Sequence, residues 1–281
     1  MKKVIRWGSR TFIMGIINLT PDSFSGDGLM GGADPVKKAL KQAKQFIDEG
    51  TDMLDLGAES SRPGADPVSA EEEIQRLIPT LDAILKEKLD AIISVDTYKS
   101  QVAERALQAG ADWINDIWGL RFDPLMAHIA AKYKSPVVIM HNGRELEHDR
   151  NGPNEENQKD IVHRVKSGLQ ASIQIAQKAN ITKENIILDP GIGFGKTVEE
   201  NLELINRLGE IKAMGYPILI GPSRKSFIGT TLNLPADQRL EGTAAATAIS
   251  ITRGADIIRV HDVQVMARVI KMCDAILSKN K

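Results

Sequence analysis

Asp96, Asn115, Asp189 and Lys225 put two carboxylates, an amide and an ammonium at the ends of four separate apolar runs. Carboxylates accept hydrogen bonds, an amide donates and accepts, and a lysine only donates. Together they suit a flat heterocycle edged with N–H groups and a carbonyl: carboxylates would take a guanidine-like edge in paired bonds, and the lysine a carbonyl or ring nitrogen. Arg62, Arg259 and His261, with Ser61 and Asn18, form a second set suited to a polyanion. Asn18 could bind a Mg²⁺ carried by phosphate oxygens, since this ion prefers oxygen ligands and often arrives with its substrate.

The elements that must position these residues are legible as short apolar runs alternating with helical patterns. Strands are predicted near 11–18, 52–58, 91–96, 113–117, 136–141, 185–189, 217–221 and 256–261, and helices near 34–49, 69–88, 98–109, 123–134, 156–180, 197–214, 236–253 and 262–279. Gly50-Thr51-Asp52, Gly110-Ala111-Asp112 and Gly254-Ala255-Asp256 repeat one phrase, in which glycine ends a helix and a strand follows. That joint argues for successive α/β units. Eight such units in one domain spanning residues 1–281 predict an α/β fold, a single (β/α)8 TIM barrel with its active site at the carboxyl ends of the strands. A doubly wound open sheet is the structural alternative. In the barrel, Asn18, Asp55, Asp96, Asn115, Asp116, His141, Asp189, Arg259 and His261 all converge on one mouth. The polar run Gly143 to Lys159 reads as a long loop after the fifth strand, with lid behaviour open to it.

Composition narrows the partners. Thirty-six basic residues against thirty-seven acidic ones leave a net charge of −1, which offers no platform for nucleic acid or a membrane surface. No signal peptide or spanning helix is readable. The single cysteine, Cys273, lies on an apolar helical stripe, reads as a core thiol, and fits a reducing compartment such as the cytoplasm. Asp189-Pro190-Gly191-Ile192-Gly193-Phe194-Gly195-Lys196-Thr197 looks like a phosphate loop but has Pro190 where that motif needs glycine. Gly221-Pro222-Ser223-Arg224-Lys225 fails as a nucleophile elbow because Lys225 replaces its last glycine. Five histidines without paired spacing give no zinc site.

Read as a set, the chain resembles the dihydropteroate synthase family. The resemblance is carried by Asn18-Leu19-Thr20-Pro21-Asp22-Ser23-Phe24-Ser25, Glu59-Ser60-Ser61-Arg62-Pro63-Gly64, Ser94-Val95-Asp96-Thr97, Ile114-Asn115-Asp116, Leu188-Asp189-Pro190-Gly191-Ile192-Gly193-Phe194, Ser223-Arg224-Lys225-Ser226-Phe227 and Arg259-Val260-His261-Asp262. It implies a barrel, homodimeric in the family, that joins p-aminobenzoate to 6-hydroxymethyl-7,8-dihydropterin diphosphate and releases diphosphate. Carried over by motif, Asp96, Asn115, Asp189 and Lys225 hold the pterin. Asn18 holds Mg²⁺, and Asn18, Ser61, Arg62, Arg259 and His261 face the diphosphate. Ser61, Arg62, Pro63, Phe194, Lys225 and Ser226 surround the aminobenzoate. The resemblance makes Asp96, Lys225, Arg259 and His261 the catalytic set.

Three departures from the family pattern stand out. Gly26-Asp27 shifts the first-loop acid by one residue, Ser61 replaces a commoner threonine, and Pro222 stands where threonine is frequent. Rival readings are a barrel transferring a methyl group from a folate to a corrinoid protein, a silent paralogue that binds pterins only, and a lysine-imine aldolase using Lys225.

Overall fold

Eight of the apolar runs become parallel strands in the computed structural model, which describes residues 5–20, 34–60, 65–144 and 160–278. They are β1 (Phe12–Asn18), β2 (Met53–Gly57), β3 (Ile92–Asp96), β4 (Trp113–Asp116), β5 (Val137–Met140), β6 (Ile186–Asp189), β7 (Leu219–Ile220) and β8 (Ile257–Val260). Each lies beside its neighbour in sequence, β1 pairs with β8, and a parallel bridge between Leu188 and Ile218 joins β6 to β7. The ring so formed is a (β/α)8 TIM barrel, and this order excludes the doubly wound sheet.

Because strand side chains alternate in direction, each run feeds two cores. Phe12, Met14, Met53, Ile92, Trp113, Val138, Ile187, Leu219 and Ile257 form one cluster, on which Ile5 and Trp7 pack. Trp7 meets Phe12 edge-on at 5.8 Å, stoppering the amino end of the barrel. The intervening residues, among them Ile13, Ile17, Leu54, Leu56, Ile93 and Val95, join the larger cluster beneath the helices. Those are α1 (Pro35–Asp48), α2 (Ala70–Lys86), α3 (Ser100–Ala109), α4 (Met126–Tyr133), α5 (Ile161–Lys178), α6 (Val198–Asn206), α7 (Leu208–Lys212), α8 (Ser226–Leu232), α9 (Leu240–Thr252) and α10 (Val263–Ile276). Cys273 is buried in the same layer, as a core thiol should be. Among the described residues, no helix is long and apolar enough to cross a membrane.

The predicted helices need three corrections. The single helix expected over 197–214 is two, broken at Arg207, whose guanidinium is drawn to Asp160, Glu203 and Glu210. The helix expected over 236–253 begins at Leu240, after a 3₁₀ turn at Ala236–Gln238. Before it stands α8, which sequence reading did not anticipate because its seven residues include Gly229 and two threonines, weak helix formers. Of the loop read from Gly143 to Lys159, residues 145–159 lie outside the described residues.

The repeated glycine–aspartate phrase has a physical role that its sequence does not disclose. Gly50, Gly110 and Gly254 turn at φ +98°, +119° and +104°, the left-handed region that glycine enters freely. Each aspartate two residues on clamps a neighbouring strand at two points. The Asp52 N–H donates to Ile13 O (2.9 Å) while the Ile13 N–H donates to Asp52 Oδ2 (3.0 Å). Asp112 does the same with Ile93, and Asp256 with Ile218. Asp52 also receives Arg10 at 2.8 Å. Asp52→Ala strands a buried N–H and a guanidinium. It is expected to lower unfolding free energy by about 2–3 kcal/mol in urea denaturation.

Candidate active site

At the carboxyl ends of the strands, the residues that continue the inward phase of the inner apolar cluster turn polar. Met53 gives way to Asp55, Ile92 to Ser94 and Asp96, Trp113 to Asn115, Ile187 to Asp189, and Ile257 to Arg259. Strand periodicity thus stacks a polar layer on an apolar one. Asp55 is its hub, 0% exposed, with Oδ2 accepting from Arg259 Nε at 2.6 Å and from Asn115 Nδ2 at 2.9 Å. The other end of the guanidinium donates to Asp96 Oδ2 at 2.7 Å. Asp55 Oδ1 is buried without a protein partner.

This crowding sets the charge states. Burial pushes the Asp96 carboxyl up to about 7, with Arg259 pulling it down and Asp55 pushing it further up. Burial works against the Arg259 charge too, yet Asp55 and Asp96 more than restore it, and its pKa lies above the ordinary arginine value. Asp189 is raised by burial against the opposing pull of Lys225 and of the Gly191 N–H, which donates to Asp189 Oδ1 at 2.7 Å. Burial lowers Lys225 to about 8 against the attraction of Asp189.

Lys225 precedes α8 and reaches back over the loop that follows β6. Its ammonium donates to Ile192 O and lies 4.6 Å from the centre of the Phe194 ring. Arg144 stands 5.5 Å from the same ring. Ser226, the first residue of α8, is exposed at the rim. His261 lies just beyond β8, its Nδ1 2.9 Å from Ser223 Oγ. Asn18 closes β1 at the same mouth, half-buried. A cavity of about 240 Å³ opens beside Asp96, bounded by Glu59, Thr97, Tyr98, Ile117, Trp118 and Arg144.

The structure therefore gathers Asp96, Asn115, Asp189, Lys225 and Arg259 into one layer, with Asn18, Phe194, Ser226 and His261 around its rim. Ser61, Arg62 and Pro63, and the Gly26-Asp27 change, lie outside the described residues. Two strand-end residues expected at the mouth do not join it. The His141 ring packs on Gly168 of α5, where an added Cβ would stand 2.5 Å from His141 Cδ2, and burial holds its pKa well below the usual value. The Asp116 carboxylate turns to the N–H groups of Trp118 and Leu120, at 2.8 and 2.7 Å.

Sequence reading placed Asp55 at a strand end without a role, and it also missed Arg144. For Asp55 the signal was present, since a charged residue between Leu54 and Leu56 keeps the inward phase of its strand. For Arg144 there was none. Its partner Phe194 is fifty residues away in sequence, and only the fold brings the two together.

No group of three or more His, Cys, Asp or Glu side chains able to hold a metal occurs among the described residues. An amide oxygen such as that of Asn18 fits a Mg²⁺ whose remaining ligands are phosphate oxygens and water, and does not fit a resident metal.

A family model described as "Pterin binding enzyme" matches residues 14–261. The chain is 50% identical over 273 residues to the dihydropteroate synthase of Clostridium beijerinckii, covering 97% of this chain and 96% of that relative. A crystal structure of dihydropteroate synthase from Clostridium difficile in the presence of pteroic acid superposes with a TM-score of 0.87 at 46% identity, over 97% of this chain and 99% of that one. The Xanthomonas albilineans enzyme with 4-aminobenzoic acid superposes with a TM-score of 0.86 at 36% identity, over 96% and 94% of the two chains.

The charge network makes a prediction that needs no ligand. Asp55→Asn removes the negative neighbour of Asp96 and leaves the Arg259 charge more fully to it, which favours the ionised carboxylate. The Asp96 pKa should therefore fall from about 7, as read by carboxyl ¹³C NMR titration. An unchanged value would show that the two carboxylates are not electrostatically linked.

Proposed function

We propose how the barrel mouth performs its reaction from the premise that the chain belongs to the pterin-binding enzyme family, and within it to the dihydropteroate synthases. The reaction is condensation of 6-hydroxymethyl-7,8-dihydropterin diphosphate with p-aminobenzoate to 7,8-dihydropteroate and diphosphate, a transferase step of folate synthesis. The observation that carries our assignment of roles is the buried layer in which Asp55, Asp96, Asn115 and Arg259 are already bonded to one another.

In this reading Asp96, Asn115, Asp189 and Lys225 hold the pterin ring. The carboxylates accept from its cyclic guanidine edge, Asn115 pairs with a donor and an acceptor, and Lys225 donates to the carbonyl or ring nitrogen. Asn18 would hold, on the protein side, a Mg²⁺ carried by the diphosphate, and that ion would supply neutralisation of charge on the phosphate oxygens. Arg259, His261 and Arg62 complete that neutralisation, and the Ser61 hydroxyl donates a hydrogen bond to the same group. Arg259 reaches both halves of the substrate from its place beside Asp96.

The C–O bond to diphosphate breaks with its electron pair on the leaving group. The aminobenzoate nitrogen then supplies the pair for the new C–N bond and afterwards loses a proton. Positive charge spreads into the electron-rich dihydropterin as the bond breaks, and the ionised Asp96 faces it. Phe194, flanked by Lys225 and Arg144, walls the aminobenzoate ring, with Ser226 at the rim, and Ser61, Arg62 and Pro63 are assigned to the same substrate by motif alone. Excluding water at this stage protects the cation from hydrolysis.

The chain works as a homodimer in the cytoplasm, as we read it. The lone buried Cys273 needs no oxidising compartment. The dimer face is the apolar groove between α6, α8 and α9, where Leu202, Leu232 and Ile249 are 44%, 46% and 47% exposed. Clustered apolar exposure of this kind marks association surfaces.

Diphosphate release from dihydropterin diphosphate and Mg²⁺, followed together with dihydropteroate, should depend on p-aminobenzoate in equal amounts. Pterin binding without product would instead indicate the silent paralogue. The kcat/KM for the pterin substrate should peak between about pH 7 and 8. Below that window Asp96 takes up a proton and loses its negative charge, and above it Lys225 loses its positive one. Asp96→Asn should abolish the acid limb along with most of the rate. The double change Leu232→Lys, Ile249→Lys should halve the mass seen by sedimentation, and an unaltered mass would place the dimer face elsewhere.

A further inference from the structure

Lys196 belongs to the run that imitates a phosphate loop, and nothing in the reaction described above uses it. Its ammonium is not aimed at the mouth. It donates to three backbone carbonyls, His141 O at 3.1 Å, Gly191 O at 2.9 Å and Phe194 O at 3.0 Å. No carboxylate among the described residues meets it directly.

The three carbonyls come from two segments pressed backbone to backbone. A Cβ on Gly191 would stand 2.0 Å from His141 O, and one on Gly195 would stand 2.4 Å from the carbonyl carbon of Gly143. Gly191 and Gly195 adopt φ +71° and +61°. Side chains are thus shut out on both steric and conformational grounds. What remains is a cluster of oxygen ends with like partial charges, which repel unless a donor sits between them. A single ammonium, with three N–H groups, matches the three acceptors one for one.

The consequence is felt at the arylamine side of the mouth. Phe194 O is held by Lys196 from one side and by the Gly143 N–H, at 3.1 Å, from the other. The Phe194 ring, so anchored, stands between Lys225 and Arg144. The same loop offers Ile192 O to the Lys225 ammonium.

We infer that Lys196 is a positioning residue for the p-aminobenzoate half of the site, its ammonium gathering the carbonyls of His141, Gly191 and Phe194 so that the Phe194 ring faces the arylamine. This rests on the reading that places aminobenzoate against Phe194. The lysine of the false phosphate loop thus binds the loop's own backbone in place of a phosphate. Asp96 and Asn115, at the far side of the pterin, are anchored on β3 and β4 and touch neither Lys196 nor its loop, whereas Asp189 meets that loop through the Gly191 N–H.

The test is steady-state condensation by the full chain with saturating dihydropterin diphosphate and Mg²⁺ and varied p-aminobenzoate. Pterin diphosphate affinity is measured in parallel by calorimetry. Lys196→Met keeps the stem and removes the charge. It should raise the KM for aminobenzoate about tenfold while pterin affinity stays within about twofold. Lys196→Ala should regain part of its aminobenzoate affinity in added n-butylammonium, which restores N–H donors, and none in tetramethylammonium, which has no N–H.

An unchanged KM in Lys196→Met, or equal losses for both substrates, overturns the inference. Should Lys196→Met fail to fold, Lys196→Arg decides. It keeps the charge but presents a planar fork to three converging oxygens, so a raised KM supports the role and an unchanged one overturns it. Phe194→Ala separates two kinds of failure. If its KM is also normal, the placement of aminobenzoate is wrong, whereas if only Lys196→Met is normal, the role of Lys196 alone falls.

Discussion

A single guanidinium governs the geometry of the mouth. Arg259 bridges Asp55 and Asp96 from three strands that the chain visits far apart, β8, β2 and β3. Two buried carboxylates this close repel, and neither could keep its charge away from water without a cation between them. The bridge therefore has two effects. It makes the polar layer tolerable inside a barrel whose lower half is apolar, and it leaves Asp96 near its point of half-ionisation at neutral pH. A carboxylate so poised can face a developing cation without a large reorganisation of its surroundings.

Around that floor, charge is used in a second way. Lys196 draws carbonyl groups together and Lys225 bonds Ile192 O, so two lysines hold the loop after β6 in a conformation that local preference alone would not secure. Burial lowers both, Lys196 to about 7 and Lys225 to about 8. Removing a lysine from water disfavours its protonated form, and here surrounding oxygens offset part of that cost. The Phe194 ring, Arg144 and Lys225 then form one wall whose parts come from three different loops.

The amino ends of the strands rely on the same two-point logic at lower stakes. Asp52, Asp112 and Asp256 each exchange two hydrogen bonds with a neighbouring strand, which holds strand against strand where no substrate will bind. Stability devices thus gather at one end of the barrel and reactive groups at the other.

Much of this was legible before any coordinates. The order of strands and helices, the closure of eight units and the polar residues at the strand ends follow from periodicity, because a buried parallel strand must be apolar until it leaves the core. The inward phase of Asp96, Asn115, Asp189 and Arg259 follows as well, since side chains alternate along a strand. The same reasoning erred at His141 and Asp116, whose side chains leave the mouth for α5 and for a neighbouring turn. It also erred where a long helix was expected, since the backbone leaves helical geometry at Arg207, which closes α6 and opens α7.

What the sequence by itself determined is the architecture, the family and the ends of the strands from which chemistry arises, all of which are recorded in local pattern and order. What only the tertiary structure decided is who bonds to whom: Arg259 to Asp55 and Asp96, Arg144 beside Phe194, and Lys196 among three carbonyls. Those pairings join residues up to 204 positions apart. They depend on how far the barrel twists and how closely two backbones approach, quantities that no local pattern of residue types encodes.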